Sequence, residues 1–268
     1  MLKFDQVSFS YGREEIISDV SFHIKKGEFV ALIGENGAGK STLSKLCIGL
    51  LKPVKGSVSI CDMDTLKTRS SQIARHAGYL FQNPDRQICQ KSVYDEIMFG
   101  LEYTIADEAT RKSYCQETIE RFDFDAKADP FHLSRGERQR LALASILAIH
   151  PEFLLLDEPT TGLDYRECMQ MLQMIEELHH AGTTILMITH DMELVQDFAQ
   201  RVLVMSEGRL IGNGVAAAIM QNESLLNRAS VTAGQIQQLA TALGDDFIGA
   251  ASVETMLERL QYLKRRRA

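Results

Sequence analysis

The segment Gly34-Glu35-Asn36-Gly37-Ala38-Gly39-Lys40-Ser41 constrains the fold of this 268-residue chain more than any other stretch. It follows an apolar run at 28–33 and precedes a helical pattern from Lys40 to about residue 50. Glycines at its first, fourth and sixth positions let the backbone curl with its N–H groups pointing inward, and the helix that follows adds the positive end of its dipole. The spacing is GxxxxGK[ST] in its required strand-to-helix context, which makes the turn a cradle for phosphate. Lys40 then reaches the terminal phosphates and Ser41 meets a magnesium ion. The same cradle serves kinases, GTPases, helicases and transporters, so the rest of the chain must choose among them.

Strand patterns at 57–60, 78–81, 153–156, 184–189 and 202–205 alternate with helical patterns near 70–76, 134–149, 166–180 and 192–198. That alternation predicts a mainly parallel sheet covered on both faces. Residues 2–33 read as short strands at 7–10, 20–24 and 28–33, with Gly12 and Gly27 at the turns. Val93, Ile97 and Leu101 share one helical face within a mainly helical stretch at 92–122, and 123–130 reads as an exposed connector. Glu207-Gly208 turns a terminal hairpin, and beyond about residue 222 the chain becomes a helical appendage ending in Lys264-Arg265-Arg266-Arg267, a solvated helix end.

A net charge of -7 disfavours nucleic acid as the partner, because phosphate backbones demand a basic face. Cys47, Cys61, Cys89, Cys115 and Cys168 form no CxxC pair and read as reduced, mostly buried thiols of a cytoplasmic protein. The N-terminal residues lack the apolar run of a signal peptide. The longest apolar stretch, 141–156, is broken by His150, Pro151 and Glu152 and falls short of the ~20 residues a spanning helix needs. Any membrane role is therefore borrowed from a partner.

A second constellation narrows the chemistry. The strand Leu154-Leu155-Leu156 ends on Asp157, with Glu158 next. One carboxylate can hold the water shell of magnesium while its neighbour orients and deprotonates the attacking water; the alternative is that both cap the turn at Pro159. Ser134 with Glu137 three residues on is a capping box, and an exposed helix N-terminus is also an anion site that can clasp a γ-phosphate supplied by another protomer.

In order and spacing the chain resembles the ABC ATPase family over about residues 2–225: the phosphate loop, Gln82 after a strand, Leu133-Ser134-Arg135-Gly136-Glu137, Leu154 to Thr160, Thr161-Gly162-Leu163-Asp164, and His190. The resemblance implies an α/β P-loop NTPase fold with a mainly parallel core sheet, an antiparallel β subdomain, a helical subdomain at about 86–150, and a C-terminal helical extension, 226–268, for pairing. It implies that Tyr11 stacks on adenine, that Gly34, Asn36, Gly37, Ala38, Gly39, Lys40, Ser41 and Thr42 hold the phosphates, and that Ser41, Gln82 and Asp157 serve Mg²⁺. Glu158 is then the general base, assisted by Lys40, Gln82 and His190. Ser134, Gly136 and Glu137 meet the nucleotide of the opposite subunit, and Asp164 crosses the dimer interface. Arg135 departs from the family's usual signature, in which a glycine stands there, as Glu137 departs from its glutamine; Arg135→Gly is expected to retain ATPase activity.

Asn83-Pro84-Asp85-Arg86-Gln87, with Ser92 to Glu96 and Phe99-Gly100, looks like the energy-coupling-factor group of importers. That likeness implies uptake of a vitamin or of cobalt or nickel ions through a transmembrane coupling protein, whose basic residue Asp85 would meet, and a small membrane substrate binder. The ATPase would sit peripherally on the cytoplasmic face and pair with a second copy or a paralogue. Met256, Leu257, Leu260 and Leu263 form a stripe that either faces such a partner or packs within the chain. Two alternatives stay open: a soluble ABC ATPase without a transporter, and an ATP-binding regulatory subunit with weak hydrolysis.

Overall fold

The computed structural model describes residues 1–232, 234–247, 250 and 253–267. In chain order its strands are β1 Leu2–Tyr11, β2 Glu14–Ile24, β3 Phe29–Gly34, β4 Lys55–Ile60, β5 Met63–Asp64, β6 Ala77–Leu80, β7 Phe153–Asp157, β8 Thr184–Ile188, β9 Arg201–Ser206 and β10 Arg209–Val215. Its helices are α1 Lys40–Cys47, α2 Ser70–Ile73, α3 Val93–Thr104, α4 Glu108–Arg121, α5 Arg135–Leu147, α6 Tyr165–His180, α7 Met192–Phe198, α8 Ala216–Met220, α9 Glu223–Arg228, α10 Gln235–Leu243 and α11 Val253–Arg267.

Six strands form one sheet in the order β10-β9-β3-β8-β7-β6, parallel except for β10, which runs antiparallel to β9. The other four make an antiparallel sheet, β2-β1-β4-β5. Both sheets are built on period-2 burial. Val30 and Leu32 of β3, Leu155 of β7, Leu186 of β8 and Leu203 of β9 face the antiparallel sheet and α1. Their neighbours in sequence face the helices on the other side: Leu154, Leu156 and Met187 meet α5 and α6, while Ala31, Ile33, Val202 and Val204 meet α7, α8 and α9. Each such side chain, fully buried, contributes on the order of 1.5–3 kcal/mol, so a two-faced strand locks its register.

The first two strands are longer than the sequence pattern predicts. Register shifts lie between Phe4 and Val7 and between Val7 and Phe9, and Gln6 and Asp19 adopt left-handed backbone at φ 49° and 52°. Bulges of this kind break the alternation, so one strand reads as two short pieces. Helix α1 ends earlier than expected because Gly49 turns left-handed at φ 68°, the usual helix stop.

Helices α3, α4 and α5 enclose a separate apolar cluster of Val93, Ile97, Leu101, Cys115, Ile119 and Leu141. A smaller cluster of Ala240, Phe247, Ala250 and Met256, joined by Ile236 and Leu263, holds α10 against α11. The expected stripe on α11 divides: Met256 and Leu263 pack inward, whereas Leu257 and Leu260 are about half exposed. Lys264 and Arg265 are exposed as expected, and the side chains of Arg266 and Arg267 lie outside the described residues. All five cysteines are free, but only Cys47 and Cys115 are buried, and Cys89 is exposed, correcting the expectation that most lie inside. No helix among the described residues is long and apolar enough to cross a membrane.

Candidate functional site

Parallel strands deliver their carboxyl ends to one edge of the sheet, where ligands of open α/β folds bind. Here β3 ends on Gly34, β7 on Asp157, β8 two residues before His190, and β6 two residues before Gln82. Gly39 is the N-cap of α1 with φ 97°, and a Cβ placed on it would stand 2.8 Å from Ile17 Cδ1 and 3.1 Å from the Ile16 carbonyl of β2. Only glycine permits that conformation at that distance. The cradle is thus seated directly on the antiparallel sheet.

Lys40 folds back into the loop, its Nζ donating to the carbonyl oxygens of Gly34 at 2.7 Å and Glu35 at 2.8 Å. Burial pushes its pKa down, opposed by the fields of Glu158, Asp157 and Glu35. A desolvated ammonium facing these carboxylates is poised for an anion that would displace its carbonyl partners.

The loop opens on a cavity of about 250 Å³ lined by Asn36, Gly37, Lys40, Thr42, Gln82 and Glu158, with Ile16 on its far wall. Beside it lies a polar cleft of about 580 Å³ that takes in Lys45, Tyr79, Asp85, Arg86, Arg135 and Arg138. Ser41, Gln82 and Asp157 line both. Those are the three residues expected to serve a magnesium ion, and they form the partition between the two spaces. Desolvation holds the Asp157 carboxyl above its ordinary range, while the hydrogen bond from the Tyr79 hydroxyl to its Oδ2, at 3.1 Å, pulls the other way. A buried carboxylate with this bias fits a cation partner. No cluster of three histidine, cysteine, aspartate or glutamate side chains that could hold a metal ion exists among the described residues.

Glu158 has left-handed backbone at φ 52°, a strained state of order 1–3 kcal/mol that persists only where surroundings enforce it. Its amide donates to the Ile188 carbonyl at 2.9 Å, and its Oε2 lies 2.8 Å from His190 Nδ1 and accepts from the Thr161 hydroxyl at 3.2 Å. His190 is largely exposed, and the carboxylate orients one of its ring nitrogens.

Ser134 and Glu137 form the expected capping box at the start of α5: Glu137 N–H donates to Ser134 Oγ at 3.2 Å and Ser134 N–H to Glu137 Oε2 at 2.8 Å. These backbone and side-chain bonds to Ser134 hold the Glu137 carboxyl below its usual range. Ser134, Gly136 and Glu137 line neither cavity. Nor do Gly34, Ala38, Tyr11 and Asp164. Tyr11 is 48% exposed and packs edge-to-face on Phe9, and Asp164 caps α6 through Glu167.

Asp85, expected to meet a basic residue of a partner, also has a basic neighbour within this chain. Asn83 caps the Pro84–Arg86 turn by accepting from the Asp85 amide, and the Asp85 carboxylate sits 3.0 Å from Arg138 Nε of α5, an ion pair inside this chain. Sequence reasoning also missed the buried Ser44–Tyr79–Asp157 relay and the Thr161 contact to Glu158. A tyrosine inside an apolar strand was the one available signal for the relay.

A family model described as ABC transporter matches residues 17–161, just over half of the chain. A protein of Caldanaerobacter subterraneus subsp. tengcongensis described as an ABC transporter ATP-binding protein is 42% identical over 90% of the chain and 42% of its own length. A Bacillus subtilis protein described as an HMP/thiamine import ATP-binding protein is 37% identical over 87% of the chain and 42% of its own length. The chain thus spans about two fifths of the length of these curated relatives. Among solved structures, cbiO1 of Clostridium perfringens, part of the ABC transporter complex cbiONQ, superposes with a TM-score of 0.75 at 27% identity over 90% of this chain and 98% of that one. A dimeric ATP-binding cassette in a post-hydrolysis state with ADP and Pi matches at a TM-score of 0.72 and 26% identity, over 81% of this chain and 99% of that one.

Proposed function

The chain belongs to the ABC transporter family, and from that premise we propose that it is the ATP-hydrolysing motor of an importer of the energy-coupling-factor type. The observation that carries the hydrolytic part is the Glu158–His190 contact of 2.8 Å beside Asp157. In this reading an incoming triphosphate draws Lys40 off the Gly34 and Glu35 carbonyls onto the β- and γ-phosphates. Ser41, Gln82 and Asp157 hold Mg²⁺, which supplies charge neutralisation on the transferring phosphoryl group. Glu158 takes the proton of the attacking water, and His190, oriented by that same carboxylate, turns its second nitrogen to the γ-phosphate. Tyr11 stacks on adenine, and Ser134, Gly136 and Glu137 close on the nucleotide of a head-to-tail mate, with Asp164 at the seam.

Glu158→Gln is expected to keep ATP binding, abolish turnover and trap the closed dimer. Turnover at the wild-type rate by that variant would falsify the assignment of the base.

The importer part draws its support from the relatives' names and from one surface. An apolar groove of about 710 Å³ runs between α2 and α3, lined by Ile48, Leu50, Phe81, Phe99, Tyr103 and Ile149. Phe99 and Tyr103 are strongly exposed there, which suits a helix of a membrane coupling protein entering near Gln82 and Asp85. On this reading a cassette at 1–225, with its helical subdomain at 86–150, works from the cytoplasmic face. The 226–268 extension pairs with a second ATPase, and a separate membrane subunit binds a vitamin or transition-metal ion. Co-purification from detergent extract tests it: recovery of the chain without any membrane protein would favour a soluble ABC ATPase.

A further inference from the structure

We propose that Arg135 is a positioning residue, tying the first turn of α5 to the Thr161–Gly162 turn and through Thr161 holding the Glu158 carboxylate of the same protomer. The inference rests on Glu158 acting as the base. Arg135 is an exposed residue that forms no ion pair among the described residues, and its guanidinium lies against the Gly162 turn. A Cβ placed on Gly162 would stand 2.7 Å from its Cζ, 2.9 Å from Nε and 3.0 Å from Nη1, so the guanidinium occupies the space a side chain at position 162 would need. Gly162 is left-handed at φ 79°, the conformation that lets the chain turn tightly beneath it.

The turn under the guanidinium leads straight to the carboxylate. Thr161 N–H donates to the Glu158 carbonyl at 3.2 Å, Leu163 N–H to the Thr160 carbonyl at 3.2 Å, and the Thr161 hydroxyl to Glu158 Oε2 at 3.2 Å. Glu158 itself is in a strained backbone state, so its carboxylate goes where this turn and His190 direct it. The next residue of α5 makes a second contact with the same segment: a Cβ on Gly136 would fall 1.9 Å from Glu167 Oε1 in α6. The start of α5 is therefore docked on 161–167 at two successive positions. A planar, delocalised cation can cover backbone in this way, and neither glycine nor lysine reproduces it.

This arrangement gives the unusual arginine of the Ser134–Glu137 segment a task in its own protomer, and it reverses the expectation from sequence that Arg135→Gly is benign. It also links two halves of the proposed site. Whatever grips the tip of α5 moves Arg135, and with it the support beneath Glu158.

The test is a double-mutant cycle on ATP turnover in the intact assembly, with Arg135→Ala, Thr161→Val, the double variant, and Arg135→Met as a version that keeps the aliphatic stem. Small displacements of a reacting group cost up to ~10²-fold, so Arg135→Ala and Arg135→Met are each expected to lower kcat roughly tenfold. KM for ATP should stay within about twofold and the melting temperature near wild type, since both residues act on the placement of Glu158 rather than on the phosphate loop. Thr161→Val should give a similar loss, and the double variant should be no worse than the poorer single variant, because both act on one contact. Losses that multiply in the double variant, or arginine variants within about twofold of wild-type kcat, overturn the proposal. Glu158→Gln run alongside separates the two levels. If it is inactive while the arginine variants are normal, only the tie fails; if it turns over normally, the base assignment fails and the tie with it.

Discussion

Replacing Tyr79 by Phe removes one oxygen from the interior and tests how the site holds its buried carboxylate. The Tyr79 hydroxyl donates to Asp157 Oδ2 at 3.1 Å and lies 3.1 Å from Ser44 Oγ, and all three residues are at least nine-tenths buried. Phenylalanine fits the same space, so the cost is electrostatic rather than one of packing. A hydrogen bond to a charged group is worth about 1.5–3 kcal/mol, and a loss near 2 kcal/mol is expected at pH 7, a fall of roughly 5 °C in Tm for a chain of this size. Desolvation already holds Asp157 above the usual carboxylate range and the tyrosine bond works against it, so the variant raises that pKa further. An acid whose folded pKa exceeds its unfolded value of roughly 4 stabilises the fold only below that value. The deficit is therefore full at neutral pH and shrinks as the pH falls and Asp157 takes up its proton. Urea unfolding in nucleotide-free, chelator-treated buffer measures it, with Asp157→Asn as the reference background. The reasoning is refuted if Tyr79→Phe loses under about 0.5 kcal/mol at pH 7, or loses as much in the Asp157→Asn background as in the wild type.

Three further outcomes can be checked directly. Gly39→Ala combines left-handed backbone, about 1–2 kcal/mol for a residue with a Cβ, with a 2.8 Å collision against Ile17. It should lower Tm by several degrees and weaken binding of a fluorescent ATP analogue at least tenfold. Ser134→Ala removes the cap of α5 and should cost about 1 kcal/mol in urea unfolding. Asp85→Ala removes the partly solvated ion pair with Arg138 while leaving the bond from Arg138 to the Leu133 carbonyl, and should cost under ~1 kcal/mol; a loss above 2 kcal/mol would mark the pair as structural.

The sequence alone determined the parts whose signal is local. The glycine spacing before Lys40 specified a strand-to-helix phosphate cradle, Ser134 with Glu137 specified a helix start, and Glu207-Gly208 specified a hairpin turn; each is present where its residues stand. Such features depend on backbone conformations and caps within a few residues, so neighbours in sequence suffice to encode them. Apolar strand runs likewise announced a two-faced parallel sheet. Where the local signal was broken, as at the bulges of β1 and β2, it misled.

Only the tertiary structure decided which groups meet. Glu158 and His190 are 32 residues apart yet 2.8 Å apart in space because β7 and β8 are parallel neighbours ending at one edge. Tyr79 reaches Asp157 because β6 is the other neighbour of β7. Arg138 claims Asp85, and Arg135 lies on Gly162, because α5 packs its first turn against two loops that approach from different strands. Nothing in the spacing of those residues encodes the contacts. They follow from the order in which strands pair within the sheet, and that order is fixed by burial summed over the whole core rather than by any short stretch of chain.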